Sequence, residues 1–313
     1  MKLAFVFPGQ GSQSVGMMSG FADVKTVRNT FSEASDLLGE DMWSMAENGP
    51  AEVLNLTTNT QPLMLVAGVA VFRAWTDAGG VLPEALAGHS LGEYSALVAA
   101  GSMTFSAAVP LVRFRAQCMH EAVPAGVGAM AAVLGLDDDG VRAACAEASE
   151  GDEIAEAANF NAPGQVVVAG RKAAVERAVE AARVRGAKRA MLLAMSTPSH
   201  CTLMKPASER LAVELDKLDI QMPAPPVIHN ESVSAASNTD ELRDALVRQL
   251  YQPVRWVETI RSLIDSGVTH IVECGPGRVL AGLNKRIGGD VQTIALVDAN
   301  SITEAMATVK GGQ

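Results

Sequence analysis

The stretch Glu84-Ala-Leu-Ala-Gly88-His89-Ser90-Leu91-Gly92-Glu93 sets a short apolar run directly before a serine flanked by glycines. A helical pattern follows, over Ser90 to Ala100. Short strand, G-x-S-x-G, then helix is the arrangement of a nucleophile elbow, in which a sharp turn lifts the serine side chain clear of a sheet edge. Glycine permits that turn because it has no Cβ. A serine that merely caps the helix would read the same locally, so the elbow needs support from the rest of the chain.

That support comes from the neighbouring elements. Leu3 to Phe7 is an all-apolar run ended by Pro8-Gly9, as suits a parallel strand buried on both faces. Val24 to Leu38 and Gln61 to Trp75 have helical spacing, and Thr269 to Glu273 is another short strand, stopped by Cys-Gly-Pro-Gly at 274–277. Strands alternating with helices predict an α/β fold with a mostly parallel sheet. The middle of the chain has a different rhythm. Strands over Ala129 to Leu136, Glu153 to Asn161, Gln165 to Ala169 and Lys188 to Met195, with helices over Asp137 to Ser149 and Arg171 to Val184, give the order βαββαβ of a ferredoxin-like unit. The expected organisation is a large α/β hydrolase-like lobe from residues 1–124 and 198–313, with a small ferredoxin-like lobe inserted at 125–197. A site in the cleft between them is expected.

With 313 residues, 48% hydrophobic and 19% charged, the chain is long enough for two lobes and ordinary for a globular protein. The net charge of −10 argues against nucleic-acid binding. Cysteines at 118, 145, 201 and 274 have no C-x-x-C spacing, so no metal is expected, and reduced packed thiols fit a cytoplasmic protein. The apolar run at 3–7 is too short for a signal peptide, and the longest run, Leu63 to Phe72, is about half a membrane span. No membrane association and a monomer are expected.

Ser90 needs a base. Among the five histidines, His200 lies in Ser196-Thr-Pro-Ser-His-Cys201, a loop where the small lobe would return to the large one. A structural role for that histidine remains the alternative. On the helix from Ser106 to Ala122, Arg115 shares its face with Leu111, Val112, Cys118, Met119 and Ala122. A guanidinium on an apolar face requires a partner, either a protein carboxylate or an anionic substrate held by a two-pronged hydrogen bond. Phe7-Pro-Gly-Gln-Gly-Ser-Gln13 is a near miss for a dinucleotide loop, with Ser14 in the third glycine place. The alternative is a tight loop whose N–H groups line an oxyanion hole beside Ser90.

FPGQGSQ at 7–13, GHSLGEYSALVAAG at 88–101, MHEAVP at 119–124, GAMAAVLGLDD at 128–138, NFNAPGQVVVAG at 159–170, PSHC at 198–201, RQLYQPVRW at 248–256 and ECGPGRVL at 273–280 together resemble the bacterial malonyl-CoA:acyl carrier protein transacylase family, nearly end to end. The resemblance implies a malonyl-serine intermediate on Ser90 and ping-pong transfer from malonyl-CoA to acyl carrier protein in fatty-acid biosynthesis. It implies His200 as base, oriented by the backbone carbonyl of Gln249, and an oxyanion hole from the N–H groups of Gln10 and Leu91. It further implies Arg115 as clamp for the malonyl carboxylate, with Gln61, Asn161 and Gln165 near the pocket. No cofactor is expected, coenzyme A entering as part of the substrate. Residues 171–190 carry seven basic side chains (Arg171, Lys172, Arg177, Arg183, Arg185, Lys188, Arg189) and two acidic ones, a candidate dock for an acidic carrier or simply a solvated face. The rival readings are a serine esterase or thioesterase built on the same Ser-His pair, an acyltransferase choosing a different extender unit, and a non-catalytic carrier-binding module.

Overall fold

The computed structural model describes residues 2–124, 126–194 and 197–311. The expected lobe boundary at 125 and the Met195 end of the last expected small-lobe strand lie outside the described residues. The chain opens with β1 (Leu3–Phe7), buried at every position. It continues through α1 (Lys25–Leu38), α2 (Met42–Asn48), α3 (Ala51–Leu54) and α4 (Thr57–Asp77) to β2 (Ala85–Gly88), α5 (Gly92–Ala99) and α6 (Phe105–Ala122). Next come β3 (Gly128–Leu134), α7 (Asp138–Ala148), β4 (Ala155–Ala162), β5 (Gln165–Arg171), α8 (Lys172–Val184) and β6 (Arg189–Leu192). The remainder runs α9 (Lys205–Leu215), β7 (Val227–Ile228), α10 (Thr239–Gln249), α11 (Trp256–Asp265), β8 (His270–Cys274), α12 (Val279–Ile287), β9 (Gln292–Leu296) and α13 (Ala299–Gly311).

Among the described residues the strands form two sheets. The first has the order β7-β2-β1-β8-β9, and its strands pair in parallel. The second, β4-β5-β3-β6, is antiparallel throughout, with the connectivity of a ferredoxin-like unit. The fold is α/β, with a hydrolase-like elbow on the parallel sheet and the small antiparallel unit inserted between α6 and α9. The apolar runs explain the layering. β1 sits in the middle of its sheet and is covered on both faces, by a large cluster containing Phe5, Phe7, Phe72 and Trp75 and by a smaller one containing Ala4, Val6, Trp256 and Ile260. Phe5 meets Phe72 and Trp75 edge-on at 5.7 and 5.2 Å between ring centroids. α4 is apolar on nearly every side and is accordingly buried from Thr60 to Phe72. The antiparallel sheet has its own core, Val133, Val166 and Val168 packing on Val141, Val175 and Val179 of its two helices. α6 and α7 begin where their sequences say, Thr104 accepting from the Ala107 N–H and Asp137 from the Gly140 N–H.

Two glycines fix the elbow at the end of β2. A Cβ on Gly88 would lie 1.9 Å from the Gly92 carbonyl carbon, and one on Gly92 would lie 2.0 Å from the Phe7 carbonyl oxygen. Ser90 between them has φ +53°, the left-handed region. Gly92→Ala is therefore expected to destabilise the protein by about 3 kcal/mol or more in a denaturant titration, since backbone and not a movable side chain blocks the methyl. Gly282→Ala, on an exposed turn of α12 with open space around it, is expected to be neutral or to stabilise by up to about 1 kcal/mol.

Candidate active site

The C-terminal ends of β1 and β2 deliver the first part of the site, as is general for open parallel sheets. β1 runs into Pro8-Gly9-Gln10-Gly11, and β2 into His89-Ser90-Leu91. The two loops touch: a Cβ on Gly9 would meet the His89 carbonyl oxygen at 2.4 Å. Hydrogen bonds take up the other elbow N–H groups. That of His89 donates to the Phe7 carbonyl, that of Gly92 to His89 and that of Glu93 to Ser90. The Ser90 N–H donates to Asn230 Oδ1 at 2.7 Å. Among the described residues the N–H groups of Gln10 and Leu91 have no protein acceptor, and both residues line one cavity of about 330 Å³ beside Ser90.

His200 reaches Ser90 from the chain returning out of the antiparallel unit. It too has a positive φ, +61°, and its N–H donates to the Leu250 carbonyl at 2.9 Å. Its Nδ1 lies 2.8 Å from the Gln249 carbonyl oxygen and its Nε2 lies 2.7 Å from Ser90 Oγ. A carbonyl can only accept, so Nδ1 carries the proton and Nε2 presents its lone pair to the serine hydroxyl. Gln249 closes α10, where carbonyls have no helical partner. Burial, and then the nearby Arg115 charge, lower the His200 pKa to about 3. The imidazole is thus neutral and ready to accept a proton.

Arg115 stands on the apolar face of α6 as its spacing predicts, and is 1% exposed. No carboxylate pairs with it among the described residues. Two neutral amides hold it instead: Nη1 donates to Gln61 Oε1 at 2.7 Å and Nη2 to Gln249 Oε1 at 3.0 Å. Nε is buried with no partner, and the guanidinium lies 5.4 Å from the centroid of the Tyr94 ring. Burial lowers its pKa from the usual guanidinium value, yet it stays protonated. A buried cation held only by neutral groups, at the wall of a cavity that also contains a serine–imidazole pair, is arranged to take an anionic ligand.

Gln249 has a second function that its sequence position does not reveal. Its backbone oxygen faces His200, its side-chain oxygen faces Arg115, and its Nε2 donates to the Ser90 carbonyl at 3.1 Å. Gln61 is oriented by Met119, whose Sδ accepts from Nε2 at 3.5 Å, so that the amide oxygen turns to Arg115. Asn161 lines the cavity, and its Oδ1 is 2.7 Å from Nε2 of His89, which lines it too and is engaged by that contact. Met130, Val167 and Leu193 give the antiparallel unit's apolar wall. Gln165 requires a correction. It does not line the cavity; it sits past the Pro163-Gly164 turn and accepts from Arg286 of α12. The strand alternation that points Asn161 inward does not carry across that turn. The basic segment is also partly neutralised, with Arg183 paired to Glu180 and Arg185 to Glu147, while Lys172, Lys188 and Arg189 remain exposed.

Among the described residues no helix is long and apolar enough to cross a membrane. The acyl transferase domain family model matches residues 4–297, and the chain belongs to that family. Within it, the chain is 52% identical over 306 residues to a malonyl CoA-acyl carrier protein transacylase of Escherichia coli, covering 97% of this chain and 99% of that protein. It superposes on an acyl-carrier-protein S-malonyltransferase of Burkholderia pseudomallei with a TM-score of 0.96 and 57% identity, over 98% of this chain and 99% of that one. A malonyl-transacylase solved in complex with its type II PKS acyl-carrier protein matches with a TM-score of 0.96 and 49% identity, over 98% and 100% of the two chains.

The His200 environment sets a pH dependence. A lowered pKa keeps the imidazole unprotonated until the pH approaches the lowered value, so, were His200 to serve as base for Ser90, serine acylation measured by single-turnover mass spectrometry would stay nearly flat from about pH 8 to about pH 5. A base of ordinary imidazole pKa would lose about thirtyfold over the same range, and that result would contradict the buried, neutral state.

Proposed function

We propose that Ser90 is the nucleophile and His200 its general base, oriented by the Gln249 carbonyl, with the Gln10 and Leu91 N–H groups as the oxyanion hole and Arg115 as the clamp for a substrate carboxylate. The reaction is transfer of the malonyl group from malonyl-CoA to the phosphopantetheine thiol of acyl carrier protein, as in fatty-acid synthesis. The observation that carries the reading is Arg115, a buried guanidinium held by two neutral amides and with no carboxylate partner among the described residues, facing the same cavity as Ser90 and His200.

In the first half, Ser90 Oγ–H gives its proton to His200 Nε2 as the oxygen attacks the thioester carbonyl. The tetrahedral oxyanion receives hydrogen bonds from Gln10 and Leu91, each such donor contributing about 3 kcal/mol to the rate. The C–S bond then breaks, the His200 proton goes to the departing sulfur, and coenzyme A leaves. In the second half the carrier thiol gives its proton to His200 and attacks the malonyl ester, and collapse of the second oxyanion returns the proton to Ser90. Water competes for the ester. Arg115 pins the acyl chain by its free carboxylate and occupies space that ordered water needs, while the tethered thiol arrives with high effective concentration. This separates transfer from the esterase reading, which the backbone carbonyl of Gln249 standing at His200 Nδ1, where hydrolases place a carboxylate, also disfavours.

The two-lobe division, 1–124 with 198–313 against 125–197, lets the cleft open to a carrier. The four buried free cysteines suit a cytoplasmic setting, where thiols stay reduced. The exposed members of the basic segment, Lys172, Lys188 and Arg189, provide a complementary surface for an acidic carrier.

Intact-mass spectrometry after mixing with malonyl-CoA tests the core of the reading: the wild-type chain gains one malonyl group and Ser90→Ala gains none. Arg115→Ala is expected to cut malonyl loading by at least about 100-fold and to narrow its preference over acetyl-CoA, as expected when a buried charged hydrogen-bond partner is lost; near-normal malonyl loading would exclude the clamp. Lys172→Glu with Lys188→Glu is expected to raise the carrier KM by about fivefold with the coenzyme A half-reaction unchanged. An unchanged carrier KM would place docking elsewhere.

A further inference from the structure

Behind the elbow lies a buried polar network that the reaction itself does not use. β7 pairs with β2 through only two residue pairs, Leu86↔Val227 and Ala87↔Ile228. Past Ile228 the backbone leaves the sheet, and the Asn230 side chain takes over the pairing. Its Oδ1 accepts from the Ser90 N–H at 2.7 Å and its Nδ2 donates to the Gly88 carbonyl at 2.6 Å. One carboxamide thus spans the residue on either side of His89, as a neighbouring strand would.

Asn230 is itself held, through its backbone. Glu93, one turn into the segment after Ser90, uses both carboxylate oxygens: Oε2 accepts from the Asn230 N–H at 3.0 Å and Oε1 from His229 Nδ1 at 2.7 Å. Glu93 is fully buried, and His229 and Asn230 are each 1% exposed. Burying a carboxylate and an imidazole together is costly unless their geometry is satisfied and used. None of the three lines the cavity. What they hold is a serine in left-handed backbone, a conformation that a non-glycine residue keeps only when its surroundings impose it. By occupying the Ser90 N–H, Asn230 also leaves Leu91 as the first N–H of the turn open to the cavity.

We infer that Asn230, anchored by Glu93 and His229, is a positioning residue that locks Ser90 in its left-handed turn, keeping Oγ in line with His200 Nε2 and the Leu91 N–H aimed at the developing oxyanion. This rests on Ser90 being the nucleophile. Removing the amide releases the turn without touching Arg115 or Gln61, so the rate of acylation falls while substrate binding holds.

The test is single-turnover acylation of the full chain by malonyl-CoA, followed by intact mass, with rates taken per folded molecule from denaturant titration. Asn230→Ala is expected to lower the maximal acylation rate about 100-fold, the size that small misplacement of a reacting group produces, while the half-saturating malonyl-CoA concentration changes by less than about threefold. Glu93→Ala is expected to fall similarly, and Glu93→Gln, whose oxygen still accepts from the Asn230 N–H, to recover about tenfold of that loss. A folded Asn230→Ala that acylates within about twofold of wild type overturns the positioning role, as does a weaker half-saturation with an unchanged maximal rate. Should Asn230→Ala not fold, a Glu93→Gln no faster than Glu93→Ala overturns it equally. Failure of the functional reading is distinguishable, because then the wild-type chain would gain no malonyl mass at all.

Discussion

The site depends on how closely two glycine-lined loops approach at the end of the parallel sheet. Gly92 sits against the Phe7 carbonyl and Gly9 against that of His89, at separations that no Cβ allows. Only because those backbones touch do the Gln10 and Leu91 N–H groups share one cavity with Ser90. The buried apolar strand β1 holds the first loop in place, and the short strand β2, registered Phe7↔Gly88 against it, holds the second. Sheet register therefore sets the position of the reacting groups.

The second determinant is electrostatic. Arg115 is kept in place by amide oxygens, which orient the guanidinium without neutralising it. In the proposed clamp role, an uncharged acyl chain entering the cavity would desolvate a cation and give nothing back, whereas a carboxylate would offer it a bidentate ionic contact. Selection would then come from excluding the wrong chain as much as from binding the right one. The same charge helps keep His200 neutral before substrate arrives, so the clamp and the base influence each other through space.

Much of this was legible in the sequence, and for physical reasons. The all-apolar run at 3–7 suits a doubly buried strand and the run before Gly88 a second short one, and the change of rhythm after residue 128 marks a second sheet. Arg115 stood out because helical spacing set it among Leu111, Val112, Cys118 and Met119. His200 was reached from its loop, and its role, like that of the Gln249 carbonyl, from resemblance. What remained hidden depends on side-chain direction across long chain separations. Nothing in the order of residues says that the Gln249 amide turns to Arg115 and to the Ser90 carbonyl, or that Asn230 replaces a strand. His229 follows a proline-rich connection, and its partner in space, Glu93, is 136 positions away. Gln165, placed near the pocket by resemblance, pairs across the tight turn with Ala162 and not with Asn161, and so lies outside the cavity.

Gln249 joins what would otherwise be separate properties of the catalyst. One residue touches the serine backbone, the imidazole and the guanidinium at once. A lineage drifting toward a different acyl group by substitution at this position would disturb reactivity in the same step. Variation in acyl preference is therefore easier to accommodate in the apolar wall formed by Met130, Val167 and Leu193, where side chains can vary in bulk away from that triple contact.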